Sequence, residues 1–335
     1  HSDAMAYCIE HGNLDSLKVM FGDPMDVISR SVRAAVQAPE GYVLIDADLN
    51  AIENRVLGWM ANEDNILRVF REGLDPYIAF AVALTGRTYE DLWHEYKVLK
   101  LKQNRTEAKP PVLGCGYMLS AGKQFRNQST GEIEATGLLG YAKNMGIELS
   151  PSLAEKSVKV WRESNPRVKD YWWEIHQAMW DTIVTGQPHS AGPVEFDVSV
   201  PFVRMRLPSG RHLYYYKAHI AKRMKPWGEE DWGIVYYGVD EKGNWGLVDT
   251  HPGKITENAD QGISRDILQN GISLAKAENI DVRLHVHDQI VAPVRVSDAD
   301  RQLKILRECM SQKPVWAPDL PLAAGGFISN VFWKD

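Results

Sequence analysis

The clearest strand signal in the chain is Tyr42–Asp48 (YVLIDAD), an apolar, β-branched run that ends on acids and leads into a helical pattern. From 61 to 190 the pattern is mostly helical, over Asn62–Glu72, Asp75–Leu84, Tyr89–Lys102, a stretch running through Gly122, Leu153–Glu163 and Arg167–Val184. Trp161, Trp172, Trp173 and Trp180 in this part are read as packed core. Strand patterns return at Glu195–Leu207, Arg211–Tyr216 and Gly233–Tyr237. A helix over about Glu257–Glu278, a hairpin over Val282–Val294 and a last helix over about Ser297–Ser311, with Ser297 as its N-cap, complete the chain. No internal repeat or low-complexity segment interrupts it. A sheet assembled from both ends of the chain, with a helical insertion between, is an α+β plan.

Composition narrows the class. With 44% hydrophobic and 24% charged residues the chain has an ordinary globular balance. No apolar run reaches the ~20 residues of a membrane span, and no signal peptide is visible, so no membrane partner is expected. The chain does not begin with Met, and residues 1–4 read as a tag remnant or a cut edge. Cys8, Cys115 and Cys309 are odd in number and scattered, against a disulfide framework or zinc site and for a reducing, cytoplasmic compartment. The net charge of −6 argues against nucleic acid, but its distribution does not. Residues 97–126 hold Lys97, Lys100, Lys102, Arg105, Lys109, Lys123 and Arg126 against the single acid Glu107. Residues 204–225 hold Arg204, Arg206, Arg211, Lys217, Lys222, Arg223 and Lys225 and no acid. Each run is either a solvated face or a positive surface of the kind a phosphate backbone requires.

Three acids stand out. Asp46 and Asp48 end the first strand, and their i, i+2 spacing puts both on one face. Asp288 lies in LHVHDQIVAPV, where His287, Asp288 and Gln289 occupy the tight turn of a hairpin. Taken alone, an acid at such a turn is an ordinary turn former, and Asp48 an ordinary helix-entry acid.

The surrounding residues change that reading. VLIDADLNAIENRVLGWMA resembles the first signature of the family A (DNA polymerase I-like) DNA polymerases, with Asp48, Glu53 and Arg55 in its key places. RTEAKPPVLGCGY resembles the second, through Arg105, Lys109 and Tyr117, and LHVHDQIV the third, a His-Asp at a hairpin tip. KITENADQGISRDIL looks like the helix that follows the palm strands in that family and carries Gln261. Order and spacing agree from about residue 20 to the C-terminal LPLAAGGFISNVFWKD, and DPYIAFA, RLPSGRHLYYY and GKITEN look most like bacteriophage-type members. The resemblance implies a right-hand polymerase palm, an antiparallel sheet flanked by helices, with a mostly helical fingers insertion. The first part of the palm is expected over 1–60, the fingers over 61–190 with the nucleotide-binding helix at about 103–122, and the second part of the palm over 191–335.

It also implies a chemistry, deoxynucleotidyl transfer from dNTPs to a primer 3′-OH on a DNA template. Phosphoryl transfer needs positioning and charge neutralisation, and two Mg²⁺ ions (Mn²⁺ can substitute) supply the latter. Magnesium takes hard oxygen ligands and keeps waters, so Asp48, Asp288 and the carbonyl of Leu49 are the expected ligands. Asp46 is read as structural or as support for them. By resemblance Arg105 and Lys109, which share a helical face at i, i+4, grip the triphosphate. Glu53 is the steric gate against a ribose 2′-OH, and Tyr117 packs beside the nascent pair and can hydrogen-bond Glu53. Gln261 reads minor-groove acceptors, and His287 contacts the primer-end phosphate. Primer-template DNA and dNTPs are the partners implied, in a phage-infected or prophage-carrying bacterial cell.

This sequence departs from the family pattern at Leu113, where many members have an aromatic, at Tyr77, where a His is frequent, and at Gln289, in place of a Glu. Pro110 and Pro111 fall inside the nucleotide-binding helix, and an interior Pro costs about 3 kcal/mol, so a kink or fresh helix start near 110 is expected. With only 47 residues before Asp48, the thumb and exonuclease domains of the family are expected to be absent from this sequence. The chain is then a trimmed polymerase, a fragment, or half of a split enzyme whose partner polypeptide supplies them. Weak DNA binding and no proofreading would follow. The competing readings are a catalytically weak or inactive nucleic-acid-binding fragment, a single-subunit RNA polymerase, which usually has Tyr where Glu53 stands, and a metal-dependent nuclease.

Overall fold

A computed structural model describes residues 7–8, 11–126, 131–224, 228, 230–240 and 243–332. Near the N-terminus α1 (Leu14–Phe21) and α2 (Pro24–Ser31) are each capped by a side chain, Asn13 and Asp23, that accepts a backbone N–H of the first turn. They precede β1 (Tyr42–Leu49). The helical stretch comprises α3 (Ile52–Ala61), α4 (Asp64–Arg71), α5 (Pro76–Thr85), α6 (Tyr89–Lys97) and α7 (Gln103–Gly114). A small hairpin, β2 (Gln124–Arg126) with β3 (Ile133–Ala135), leads to α8 (Gly137–Asn144), α9 (Pro151–Ser164) and α10 (Pro166–Thr185). Six strands follow: β4 (His189–Ala191), β5 (Val194–Ser199), β6 (Phe202–Arg206), β7 (His212–Met224), β8 (Glu230–Val239) and β9 (Trp245–Asp249). Then come α11 (Pro252–Ala277), β10 (Leu284–Val286), β11 (Gln289–Arg295), α12 (Ala299–Ser311) and β12 (Ala324–Ser329). The chain is α+β, and no described helix is long and apolar enough to cross a membrane.

The packing makes two compact units. The first holds residues 1–50, 268–312 and 323–335. Its antiparallel sheet has the order β10-β11-β1-β12, so the strand nearest the N-terminus lies between strands from the C-terminal part of the chain. Helix α12 packs on β1 and β12. A Cβ on Gly326 of β12 would stand 2.8 Å from Leu303 of α12 and 2.5 Å from the Asp46 carbonyl, so only glycine fits there. Leu44, Val291 and Phe332 form part of the core.

The second unit holds residues 51–267 and 313–322. Among its helices, Trp161 of α9 and Trp172 of α10 are buried and stack with ring centroids 6.2 Å apart. Trp172 Nε1 donates to the Gly116 carbonyl at 2.7 Å. Trp173, expected in the core with them, is 59% exposed. The sheet of this unit runs β4-β5-β6-β7-β8-β9, antiparallel throughout. The expected second palm segment, 191–335, is thus shared between the two units.

Several expectations are corrected. The strand expected over Glu195–Leu207 is two strands, β5 and β6, folded back at Val200–Pro201. The helix expected to reach Lys102 stops at Lys97, and the last helix is preceded by Asp298, not Ser297, as its N-cap residue. Helix α7 has no fresh start at residue 110; it continues through Pro110 and Pro111 to Gly114, then tightens into a 3₁₀ turn over Cys115–Tyr117. The two prolines remove the N–H groups that would serve the carbonyls of Thr106 and Glu107, both on partly exposed residues that water can reach. Burial of Pro110 and Pro111 in the helical packing offsets the loss. Cys8, Cys115 and Cys309 are buried thiols without disulfide partners, as their scatter implied.

Candidate active site

In the first unit, Asp48 of β1 lies directly opposite Gln289 of β11. The Leu49 N–H donates to the Asp288 carbonyl at 3.1 Å, so the turn residue Asp288 sits beside the end of β1. The turn is His287 and Asp288, and His287 takes a positive φ of 54°, a conformation His adopts more readily than most residues. Asp48 and Asp288 are partly exposed and His287 is exposed, whereas Asp46 is only 2% exposed. Gln289 is equally buried, and its amide Nε2 lies 2.7 Å from each carboxylate oxygen of Asp46. Asp46 is therefore bound within the sheet, and Gln289 provides the donor that a carboxylate at its position would lack.

Gly325 of β12 faces Asp48 from the other side. A Cβ at Gly325 would lie 3.4 Å from Asp48 Oδ1 and 3.1 Å from Asn50 Oδ1, and the Gly325 N–H donates to that Asn50 oxygen at 3.1 Å. The missing side chain leaves a cradle beside the carboxylate. No group of three or more His, Cys, Asp or Glu side chains that could hold a metal occurs among the described residues. The donors at this end of the sheet, two carboxylates beside an open cradle, are hard oxygens of the kind magnesium takes together with waters and substrate phosphates.

In the second unit, Arg105 and Lys109 lie one turn apart on α7, with Leu113 a further turn on. Arg105 Nε donates to Asp75 Oδ2 at 2.9 Å, and the guanidinium lies between the Tyr77 and Tyr96 rings, 4.8 Å from each centroid. Asp75 also caps α5, accepting from the Tyr77 and Ile78 N–H groups. Lys109 Nζ is 5.9 Å from the Tyr77 centroid. Burial, then the neighbouring Arg105 charge, pulls the Lys109 ammonium below its ordinary pKa. Tyr77 thus stands beneath both cations.

Glu53, in the first turn of α3, accepts from Gln261 Nε2 of α11 at 2.7 Å. Tyr117, in the 3₁₀ turn after α7, was expected to be able to bond Glu53, but its hydroxyl donates to Asp260 Oδ2 in a short hydrogen bond. Asp260 is fully buried, next in sequence to Gln261.

Sequence reasoning missed Asp75, Tyr96 and Asp260. Asp75 was readable as the residue before Pro76, a helix-start pair, but not as a partner for an arginine thirty positions on. The second basic run is also less free than its composition suggested. Arg204 is held by Asp197, Arg211 by Asp266, Lys222 by Glu230 and Arg223 by Asp249, while Arg206 approaches Glu195 at 3.7 Å. Lys225 lies outside the described residues.

The chain carries two acids at one end of an antiparallel sheet and, separately, a cationic helix, and it is homologous to the family A, DNA polymerase I-like, polymerase domains. The DNA polymerase of Bacillus phage SP02 is 29% identical over 338 residues, which cover 99% of this chain and 48% of that polymerase. DNA polymerase I of Pseudomonas aeruginosa is 40% identical over 119 residues, 36% of this chain and 10% of that enzyme. The chain therefore spans about half or less of the relatives it matches. Among solved structures, the POL domain of Pol1 from M. smegmatis, in complex with DNA primer-template and dNTP, has a similar fold, with a TM-score of 0.52 and 17% identity over 90% of this chain and 42% of that one. No family model matches the chain.

Proposed function

We propose that this chain is the palm and fingers portion of a DNA polymerase and adds deoxynucleotides to a primer 3′-OH under the direction of a DNA template. In this reading the first unit belongs to the palm, and the helical part, 61–190, is the fingers. One observation carries it: the Leu49–Asp288 backbone bond and the Asp48–Gln289 pairing bring two acids from opposite ends of the sequence to one end of one sheet. The Asp48 and Asp288 carboxylates and the Leu49 carbonyl would hold two Mg²⁺ ions, which when bound neutralise phosphate charge and activate the primer hydroxyl.

The chain's own residues do the rest. Arg105 and Lys109 bind the triphosphate, the first as a bidentate fork and the second as a point charge. Tyr77 and Tyr96 hold the guanidinium flat, and Asp75 is the counter-ion that a triphosphate displaces. Leu113 and Tyr117 pack against the incoming nucleotide, and Glu53 occupies the room a ribose 2′-OH would need. Gln261 donates to minor-groove acceptors, which all correct base pairs present, so it senses fit rather than sequence. His287 meets the primer-end phosphate.

The test is primer extension with Mg²⁺ and dNTPs. Wild type extends the primer, while Asp48→Asn and Asp288→Asn lose extension by several orders of magnitude and still bind primer-template in a fluorescence anisotropy titration. Extension that survives both substitutions would refute the proposal.

A further inference from the structure

Helix α11 carries an acid where its pattern calls for an apolar residue. Ile255, Thr256, Ala259, Ile263 and Ile267 form its buried stripe, each no more than 1% exposed, and Asp260 stands among them with no exposed surface. The polymerase reading gives Asp260 no task. An isolated buried carboxylate is expensive, so such a group either finds partners or takes up a proton. Asp260 Oδ2 accepts the Tyr117 hydroxyl, and Oδ1 has no hydrogen-bond partner. Burial, and then the nearby Glu53 charge, pushes the Asp260 carboxyl well above the ordinary carboxylate range, only partly offset by the Tyr117 bond. The carboxyl therefore holds its proton more tightly than an ordinary aspartic acid. Burial, and then Asp260 and Glu53 beside it, raise the Tyr117 phenol, so the phenol keeps its proton and donates it to Asp260.

The backbone around this pair is fixed from two sides. A Cβ on Gly253, at the start of α11, would lie 2.3 Å from the Tyr117 carbonyl, so helix and 3₁₀ turn are in direct contact. The preceding carbonyl, Gly116, is held by the Trp172 indole. Tyr117 is thus a side chain with a fixed base and one hydrogen bond to give. Glu53, whose charge bears on both members of the pair, has Gln261 as its partner instead.

We propose that Asp260 is a positioning residue for sugar selectivity: by holding the Tyr117 hydroxyl it leaves Glu53 tethered through Gln261. This rests on the polymerase reading above. Exclusion of a ribose depends on the Glu53 carboxylate keeping its place. A carboxylate held through one exposed amide yields to a 2′-OH more readily than one braced by a buried phenol as well. Asp260 therefore relaxes the gate, and the chain tolerates ribonucleotides and 2′-substituted nucleotides more than a gate braced by Tyr117 would.

The experiment compares kcat/KM for single dNTP and matching rNTP incorporation in wild type, Asp260→Asn, Asp260→Val, Tyr117→Phe and the Tyr117→Phe/Asp260→Val double variant, with thermal melts for all. Asp260→Val frees the hydroxyl for Glu53, and the rNTP-to-dNTP ratio falls about tenfold, the worth of one hydrogen bond to a charged group, chiefly through a higher KM for the ribonucleotide. Asp260→Asn keeps an acceptor for Tyr117 and keeps the wild-type ratio. In the Tyr117→Phe background Asp260→Val changes nothing further. An unchanged or higher ratio in a folded Asp260→Val protein overturns the proposal, as does an equal fall with and without the Tyr117 hydroxyl. Isotope-edited infrared difference spectra of wild type and Asp260→Asn give a reading that needs no catalysis: a protonated-carboxyl band at neutral pH present in wild type alone supports the pair, and its absence from wild type overturns it. A wild type that incorporates neither nucleotide removes the polymerase reading, whatever the infrared band shows.

Discussion

Replacing Gln289 by Leu tests how the sheet carries its acids. Gln289 and Asp46 are 3% and 2% exposed, and one amide nitrogen lies 2.7 Å from each of two carboxylate oxygens. A hydrogen bond to a charged group contributes about 1.5–3 kcal/mol, and one NH₂ serving both oxygens counts for between one and two such bonds. Leucine keeps most of the volume but donates nothing, so a buried carboxylate loses its amide. The expected loss is about 3–4 kcal/mol, within the range seen when one partner of a buried charged pair is removed. Read by thermal or urea unfolding with far-ultraviolet circular dichroism, it corresponds to a fall of roughly 6–12 °C in melting temperature. Gln289→Glu is worse, because it sets a second carboxylate against the first. The double variant Asp46→Asn/Gln289→Glu exchanges amide and carboxylate between the two strands and recovers most of the loss. A Gln289→Leu protein within about 0.5 kcal/mol of wild type would refute the reasoning, because surface substitutions have effects of that size.

Three further outcomes are expected. Asp75→Asn keeps an N-cap for α5 but removes the charge that competes with a triphosphate for Arg105, so the melting temperature holds and the KM for dNTP falls severalfold in steady-state kinetics; a higher KM would show that Asp75 orients Arg105 more than it occupies it. Gly325→Ala puts a methyl beside Asp48 Oδ1, and the Mg²⁺ concentration for half-maximal extension rises about tenfold, with a parallel weakening of Mn²⁺ binding by calorimetry; unchanged binding would mean the cradle holds no ion. Asp260 gives a pH dependence whose sign is fixed. Its carboxyl is raised in the folded chain, so the folded state holds a proton the unfolded chain gives up, and this contribution is full below the unfolded value near 4 and is lost as pH rises toward the folded value. Asp260→Asn should therefore gain on wild type in urea melts as pH increases from about 4, by at most about 1.4 kcal/mol per pH unit, and a gap independent of pH would contradict the burial argument.

The parts legible in the sequence are those whose cause is local. Strand β1 announces itself as a β-branched run, and the β10–β11 hairpin as two apolar runs around a polar pair. Helices α4, α5, α9 and α10 appear close to their expected limits because cap residues and prolines bound them. Strand β12 was not legible: AGGFIS has two glycines and little alternation, and it becomes a strand by pairing with β1. The first part of the long strand β7 was legible as Arg211–Tyr216; its continuation, with Lys217, His219 and Lys222, looks like a solvated face until β8 supplies the partner strand. The arginines of 204–225 read equally as a solvated face or a positive surface because their acids, such as Asp197, Asp249 and Asp266, lie outside that stretch. Charge read in a window overstates a field whenever the fold brings in counter-ions from elsewhere.

The features that broke local rules lie close to the residues proposed for the chemistry. Asp46 is a buried acid in the middle of a largely apolar strand, two residues before Asp48. Pro110 and Pro111 interrupt the hydrogen-bond ladder of the helix that carries Arg105, Lys109 and Leu113. His287 takes a positive φ beside Asp288, and Asp260 is a buried acid beside Gln261. Each departure lowers stability taken alone, so each needs a compensating contact, and for the two buried acids that contact is visible: Asp46 has Gln289, and Asp260 has Tyr117. Both partners come from far along the chain. A compensated pair of this kind ties two distant segments together at one point with hydrogen-bond accuracy, which apolar packing, being non-directional, does not do. In the proposed polymerase, Asp48 at the end of β1 and Asp288 in the turn before β11, or Glu53 and the nearby Tyr117, would need that accuracy because an ångström of drift changes the reaction. On this argument the buried acids are retained for register rather than for stability. Simultaneous replacement of Asp46 and Gln289 by Val and Leu then gives a chain at least as stable as wild type but slower in primer extension, with kcat rather than KM affected. If that double variant is both stable and fully active, packing alone sets the register of β1 and β11, and the polar pair has no part in it.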